Sequence, residues 1–349
     1  MMECDMISSV FSLFSDSDPV NYSIKNTSHG DTDFRETVIC DCSSGNKLVL
    51  KLVDNEFTSP ARIAIWKRCA DEYKKLGYYC PEILSSKNGT YPKIQYKGHT
   101  CVAYAEEYSA FPGADSFDPA AISENGYYKY IDDATEMNAR VASMHFDFAP
   151  FPSAWCAFEK FCTSDKDDEV TENAINWLEL AKKLPVSFSE QVERIWTLWN
   201  KNKEELKKIY PLLPTSVFQA DINKSNILLD RDGRFKGVFD FNLCGKEVFL
   251  NYLFREAPYV MTIEGFSEAL DNIERRRIFR AIHIAKKSYR FQEIEIRAAP
   301  LLYRYQKPLW FTRIEELRKA GNDTAKIEKC LSISEKMLTD EIDWASEME

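Results

Sequence analysis

No run of about 18 or more consecutive apolar residues occurs in this chain of 349 residues, so no membrane-spanning helix is expected. The ten cysteines include no C-x-x-C pair, and the closest two are Cys40 and Cys42. That spacing suits neither a zinc ribbon nor a secreted disulfide framework, and scattered thiols fit a reducing cytoplasm. The four histidines, His29, His99, His145 and His283, have no ligand spacing. With only 12 glycines, the chain contains no G-x-G-x-x-G and no G-x-S-x-G, which removes a dinucleotide fingerprint and a hydrolase nucleophile turn. Basic residues are outnumbered, 45 against 55, for a net charge of −10. Such a balance argues against a broad nucleic-acid surface and is compatible with a cationic small substrate. The opening stretch MMECDMISSVFSLFSDSD has neither Lys nor Arg, so no secretory signal is expected.

What is present divides into two textures. The first third reads as strands with one helix. Phe34 to Cys42 and Lys47 to Val53 are strand-like, and the turn signal Ser43-Ser44-Gly45-Asn46 joins them as a hairpin. Thr58-Ser59-Pro60 marks a helix start, and Gly77 is placed to end that helix after Leu76. Glu82-Ile83-Leu84 is a short strand candidate, Asn88-Gly89 a hairpin turn signal, and Cys101 to Tyr108 another strand. After the loop-like Phe111 to Asp115, helical periodicity takes over: Asp132 to His145, Thr171 to Leu184, Ser189 to Tyr210, and nearly everything from Ile263 onward. The expected class is α+β, with a small β-rich lobe over residues 1–108 and a larger, mainly helical lobe over 109–349.

One β-rich segment interrupts the helices, VFQADINKSNILLDRDGRFKGVFDFN, Val217 to Asn242. Asp221 is followed five positions later by Asn226, and Asp240 closes the segment. Asp then Asn at that spacing arises about once by chance in a chain of this length. Context raises its weight. Asn226 precedes the apolar Ile227-Leu228-Leu229, Asp230 to Gly233 forms a turn, and Arg234 to Phe239 returns as a second arm. Asn226 then starts one arm and Asp240 ends the other, so both reach one cation. Two carboxylates and an amide in this order suit phosphoryl transfer: one acid beside a hydroxyl, the other pair holding magnesium on a nucleotide's phosphates.

The stretch QADINKSNILL…GVFDFN resembles the H-G-D-x-x-x-x-N…D-F/W-D/E pattern of aminoglycoside phosphotransferases. Choline kinases, homoserine kinases and related small-molecule kinases share that pattern on a bilobal protein-kinase-like fold. The resemblance implies an ATP- and Mg2+-dependent kinase that phosphorylates a hydroxyl of a small molecule, with no nucleic-acid or membrane partner. It makes Asp221 the catalytic carboxylate and Asn226 and Asp240 the metal ligands. Gln219 stands where the pattern has His, Ala220 where it has Gly, and Asn251 where a later Asp is usual. Those departures motivate an alternative, a nucleotide-binding pseudokinase or regulatory module.

In the first lobe, Lys51 interrupts the apolar run from Leu48 to Val53, which is costly unless it is paired. By resemblance it binds the α- and β-phosphates and pairs with an acid of the following helix. Glu72 borders the apolar side of that helix and is the expected partner, whereas Asp71 falls among Lys67, Arg68, Lys74 and Lys75. Ser28, in the stretch Asn26 to Asp31, is the candidate for covering phosphates. Glu106 and Tyr108 fit the hinge between lobes, where backbone groups would bind adenine.

Overall fold

The computed structural model describes residues 3–30, 32–124, 127–260 and 270–349. In chain order it runs α1 (Glu3–Phe11), β1 (Pro19–Asn26), β2 (Phe34–Cys42), β3 (Lys47–Asp54), α2 (Pro60–Lys75), β4 (Ile83–Leu84), β5 (Lys93–Tyr96) and β6 (His99–Glu107). Next come β7 (Ser123–Glu124), β8 (Tyr127–Tyr128), α3 (Lys129–Ser143), α4 (Glu169–Ala181), α5 (Ser189–Ile209), β9 (Thr215–Phe218), β10 (Ile227–Leu229), β11 (Phe235–Val238) and β12 (Gly245–Val248). The rest is helical: α6 (Phe249–Asn251), a π-helical turn (Tyr252–Glu256), α7 (Ala257–Val260), α8 (Leu270–Ala285), α9 (Glu293–Gln306), α10 (Phe311–Ala320), α11 (Thr324–Thr339) and α12 (Trp344–Met348). Two compact units result, one of Met1–Ser116 with Lys224–Cys244, the other of Phe117–Asn223 with Gly245–Glu349. No described helix is long and apolar enough to cross a membrane.

In the first unit the sheet runs β1-β2-β3-β6-β4, with β5 also on β6, and all its pairings are antiparallel. Alternation sets its two faces. Val38, Cys40, Leu50, Leu52, Cys101 and Ala103 point one way and pack against Ile7, Val10 and Phe11 of α1. Helix α1 is absent from the sequence reading, because ECDMISSVF is short and serine-rich; burial of those three side chains holds it. Helix α2 buries Ile63, Trp66, Cys69, Ala70 and Tyr73, and Trp66 meets Tyr104 of β6 edge-on at 6.0 Å. Its start is as read from sequence: Ser59 accepts a hydrogen bond from the Arg62 amide and Pro60 opens the first turn. Asn88-Gly89 does turn, but β4 and β5 on either side of it each pair with β6 rather than with each other.

The hairpin β10–β11 belongs to this first unit. Asp230 builds its turn, accepting from the amides of Asp232 and Arg234 at 3.0 Å each. The hairpin is stitched to the chain after α2 by backbone bonds, Tyr79 N–H to Lys236 O at 2.9 Å and Val238 N–H to Tyr79 O at 3.1 Å. Contact is so close that a Cβ on Gly237 would lie 1.8 Å from the Tyr79 carbonyl oxygen.

In the second unit, α5 packs on α9 and α11, α4 on α10, and α3 on α8. Helix α3 buries Ile131, Ala134, Asn138, Val141 and Ala142 at helical spacing. The strand pair β9–β12 is antiparallel, with Phe218 opposite Gly245. Trp155, Phe218, Phe249 and Tyr252 pack around it, ring to ring, at 5.3 to 6.1 Å. Of the helical stretch expected from Ile263 onward, Ile263 lies outside the described residues, and from Leu270 the expectation holds.

Replacing Gly237 with Ala should unseat the hairpin, because backbone cannot give way as a flexible side chain can. The expected loss is about 3 kcal/mol, read as a lower urea midpoint. An unchanged midpoint would contradict this account of the close approach.

Candidate active site

The first unit brings Lys51, Glu106 and Asp240 within electrostatic reach of one another. Lys51 stands opposite Tyr104 across β3–β6, and Glu106 is two residues further on the same face. Long side chains span that diagonal, and Lys51 Nζ lies 3.8 Å from Glu106 Oε2. Both are largely buried, 14% and 8% exposed. Burial opposes the charge on Lys51, yet Glu106 and then Asp240 outweigh it and hold the ammonium above its ordinary range. Burial raises the Glu106 carboxyl, Lys51 draws it down, and Asp240 pushes it up again. The field of two carboxylates thus acts on one ammonium, an excess of negative charge that suits a further cation.

The hairpin fixes Asp240 relative to Asn226. Phe239 N–H donates to Asn226 O at 3.1 Å, so Asp240 directly follows the residue paired with Asn226. Asp240 adopts a left-handed backbone, φ 58°, which non-glycine residues take at a cost and which gathers at functional sites. Asn226 is 5% exposed. Two positions past Asp240, the buried Oδ1 of Asn242 has no hydrogen-bond partner. An amide oxygen, a carboxylate and this unmet amide oxygen are hard donors of the kind magnesium takes, so the residues present fit a divalent cation.

Other sequence candidates fall differently. Glu72 is not the partner of Lys51: it pairs with Lys75, three residues along its own helix, at 2.8 Å. The partner is Glu106, because cross-strand neighbours on a sheet are fixed by register whereas a helix places its acid only by rotation about its axis. Glu106 was read as a backbone hinge residue; it pairs with both Val49 and Ile83 in the sheet, and its side chain carries the ion pair. Tyr108 is 44% exposed, with the Lys47 ammonium 5.4 Å from its ring centre. Ser28 is held inside its own loop: its Oγ accepts from the Arg35 amide at 2.9 Å and its amide donates to Asn26 Oδ1 at 2.8 Å. The amides of Thr27 and His29 are likewise taken, by Arg35 O and Asp33 O. Asp31 lies outside the described residues.

Asp221 belongs to the second unit. Its amide donates to Oε1 of Gln219 at 2.7 Å, and Asn223 Nδ2 donates to its Oδ1 at 2.6 Å. Gln219, fully buried, is therefore the side chain that shapes this turn. Ala220 between them has φ 61°, a left-handed conformation that explains why glycine suits the position. Asn251 is fully buried and anchors its helix: its Nδ2 lies 3.1 Å from Trp155 O, 2.6 Å from Tyr210 Oη and 2.9 Å from Glu247 Oε1, while its Oδ1 accepts from Gln306. Glu256, at the end of the π-helical turn, was missed by the sequence reading. Burial raises its carboxyl to about 7; Arg255 opposes the rise, and Glu169 and Asp221 add to it. A lone Glu in an apolar run after β12 was the available signal.

The model of the phosphotransferase enzyme family (APH) matches residues 29–250, and the chain belongs to that family. No protein of curated function matches it. Among solved structures, amicoumacin kinase hAmiN in complex with AMP-PNP, Ca2+ and Ami is 12% identical, covers 99% of this chain and 97% of its own, and superposes with a TM-score of 0.56. An aminoglycoside phosphotransferase from Alicyclobacillus acidocaldarius is 12% identical over 95% of each chain, TM-score 0.48. The first of these shows a shared fold, a kinase-like union of a β-sheet unit and a helical unit.

Glu247, like Glu256 and Glu295, is raised by burial to about 7 from 4.5. The folded protein then holds protons that the unfolded chain has released. The stability this contributes is full below about pH 4.5 and is lost as pH rises through about 7. Glu247→Gln should flatten the fall in stability between pH 5 and 8 by about 3 kcal/mol. Equal slopes in denaturant midpoints against pH for variant and parent would contradict it.

Proposed function

We propose that the chain is an ATP- and magnesium-dependent kinase that moves the γ-phosphate to a hydroxyl of a small molecule of aminoglycoside, amino alcohol or sugar type. The observation that carries this is the trio Lys51, Glu106 and Asp240 together with Asn226, one cation and three oxygen-bearing groups set by a sheet and a hairpin. Lys51, kept protonated by its two carboxylates, binds the α- and β-phosphates. Asn226 and Asp240 hold the metal, and Asn242, two residues past Asp240, has a buried amide oxygen without a hydrogen-bond partner. Bound magnesium would supply neutralisation of charge on the β- and γ-phosphates. Asp221, oriented by Gln219 and Asn223, fixes the acceptor hydroxyl and takes its proton. Such catalysis rests on positioning and charge stabilisation.

Residues 1–108 would serve the nucleotide, with Ser28 and Tyr108 at its margins, and residues 109–349 the acceptor, with hairpin 224–244 supplying the metal ligands. Amicoumacin kinase, which shares the fold, is a kinase captured with an ATP analogue and a divalent cation, and this supports the same use here. The acidic balance and scattered thiols favour a cytoplasmic enzyme without nucleic-acid or membrane partners.

Asp221→Ala should reduce turnover at least about a thousandfold while nucleotide binding persists. Retained turnover would end the assignment of Asp221. Saturating magnesium-ATP, at about 100 times its dissociation constant, should add roughly 2.7 kcal/mol of stability and raise the melting midpoint. That rise should require magnesium and vanish in Asp240→Ala; a rise of equal size in the variant would remove Asp240 from the metal site.

A further inference from the structure

The glycine-poor loop between β1 and β2 has spent backbone donors that a phosphate would need. Thr27 N–H donates to Arg35 O, Ser28 N–H to Asn26 Oδ1 and His29 N–H to Asp33 O. Backbone amides are what a glycine-rich loop offers a triphosphate. With these three taken, the contact falls to a side chain, and Arg35, on which the loop closes, is placed to make it.

Strand register fixes that place. Thr37 lies opposite Lys51 and Arg35 opposite Val53, while Lys51 and Val53 lie opposite Tyr104 and Val102 of β6. Paired residues share a face of the sheet, and so do alternate residues along a strand. Arg35 is therefore on the Lys51 face, away from α1, on the neighbouring strand and about 7 Å further from the Glu107 end. Its charge is felt there. Burial apart, the groups acting on the Lys51 ammonium are Glu106 and Asp240, which favour its charge, and Arg35, which opposes it. Burial and the same two acids raise the Tyr104 hydroxyl, and Arg35 again opposes them.

The guanidinium is oriented without being used up. Nε donates to Asp33 Oδ1 at 2.7 Å and Nη2 pairs with Asp33 Oδ2, while Asn55 Nδ2 donates to the same Asp33 Oδ1 at 2.8 Å. The planar group lies over the Phe57 ring, 5.0 Å from its centre, and the side chain keeps 19% exposure. A guanidinium carries five N–H groups, so the pair with Asp33 leaves the Nη1 edge to a ligand.

Resting on the kinase reading above, we infer that Arg35 binds the terminal γ-phosphate of the nucleotide, in place of the backbone amides of a glycine-rich loop. With adenine at the Glu106–Tyr108 end of β6 and the α- and β-phosphates on Lys51, the next cation along the face is Arg35. Two cations on adjoining strands repel each other, and a polyanion between them attracts both. The planar fork matches phosphate oxygens with paired hydrogen bonds. Asp33 and Phe57 hold it in one orientation before the nucleotide arrives.

The test is the affinity of the full chain for magnesium-ATP, magnesium-ADP and AMP, measured by calorimetry. Arg35→Gln should weaken magnesium-ATP about tenfold, the size of one lost charge-assisted contact, and leave magnesium-ADP and AMP unchanged. Asp33→Asn breaks the same ion pair but keeps the guanidinium, and it should bind magnesium-ATP at least as tightly as the parent. Arg35→Lys keeps the charge and loses the fork; it should show the selective loss for ATP in smaller measure, and it serves if the Gln variant does not fold. A clasp that merely shapes the loop gives another pattern, in which Asp33→Asn loses as much affinity as Arg35→Gln, and that result overturns the inference. So does a ratio of ATP to ADP affinity that stays at the parent's value in the Arg35 variants. A parent that binds no magnesium-ATP is a different failure, that of the kinase reading itself, seen before any variant is compared, and the inference falls with it.

Discussion

A lysine in the middle of a sheet face is the constraint on which the first unit turns. Lys51 lies between Leu50 and Leu52, whose side chains are fully buried on the opposite face. Its ammonium cannot be left alone there, since an unpaired buried charge is far costlier than a paired one. Register supplies Glu106, and the hairpin supplies Asp240. Two carboxylates for one ammonium is more than neutralisation requires. A structural ion pair needs only Glu106, and the second acid is the one that the proposed metal site uses. Hairpin placement is thereby part of the electrostatics, and the seating of Gly237 on the Tyr79 backbone fixes where that second acid stands.

Left-handed backbone at a non-glycine residue occurs at five described positions, Lys97, His145, Phe158, Ala220 and Asp240, and the last two concern the proposed site. Ala220 and Asp240, both non-glycine, take left-handed conformations at φ 61° and 58°. A non-glycine residue there costs on the order of 1 kcal/mol. Asp221 and Asp240 are the two carboxylates assigned to chemistry, and each sits at or beside a residue in that conformation. In the second unit Gln219 offsets the strain by accepting from the Asp221 amide at 2.7 Å.

Where local signals dominate, the sequence was legible. The hairpin Phe34 to Asp54, the capped start of α2 and the helices α3, α4 and α5 follow from turn residues, a Ser-Pro cap and helical spacing. The pattern from Gln219 to Asn242 was legible because its meaning depends on order along the chain. Helix α1 was not, since nine residues of weak helical preference are held by tertiary packing alone. Nor was the partner of Lys51, because choosing Glu106 over Glu72 needs the β3–β6 register, which a single strand does not encode. Arg255 and Trp310 are 55 residues apart in sequence, and nothing in that spacing announces that the guanidinium of a π-helical segment lies over the indole ring.

The departures from the family pattern are matched by their surroundings, which separates an adapted site from a decayed one. At position 251 an aspartate would face Glu247 at about the 2.9 Å that now separates Asn251 Nδ2 from Glu247 Oε1. Two buried carboxylates at that distance repel unless one is protonated. The amide donates instead, and Gln306 donates in turn to its oxygen at 2.7 Å. Tyr210 completes the ring of contacts with a hydroxyl bond to Glu247 at 2.8 Å. Asn251 and Glu247 therefore make one consistent pair, and the helix that begins after β12 keeps its anchor. Random loss of function would leave orphaned partners at positions 219 and 251; here Gln219 serves the Asp221 turn, and Asn251 lies within hydrogen-bond distance of four groups. Gln219 holds the turn at Asp221 and Asn251 holds Glu247, so both substituted positions remain built into their surroundings, which favours the proposed kinase over a regulatory module that has shed its chemistry.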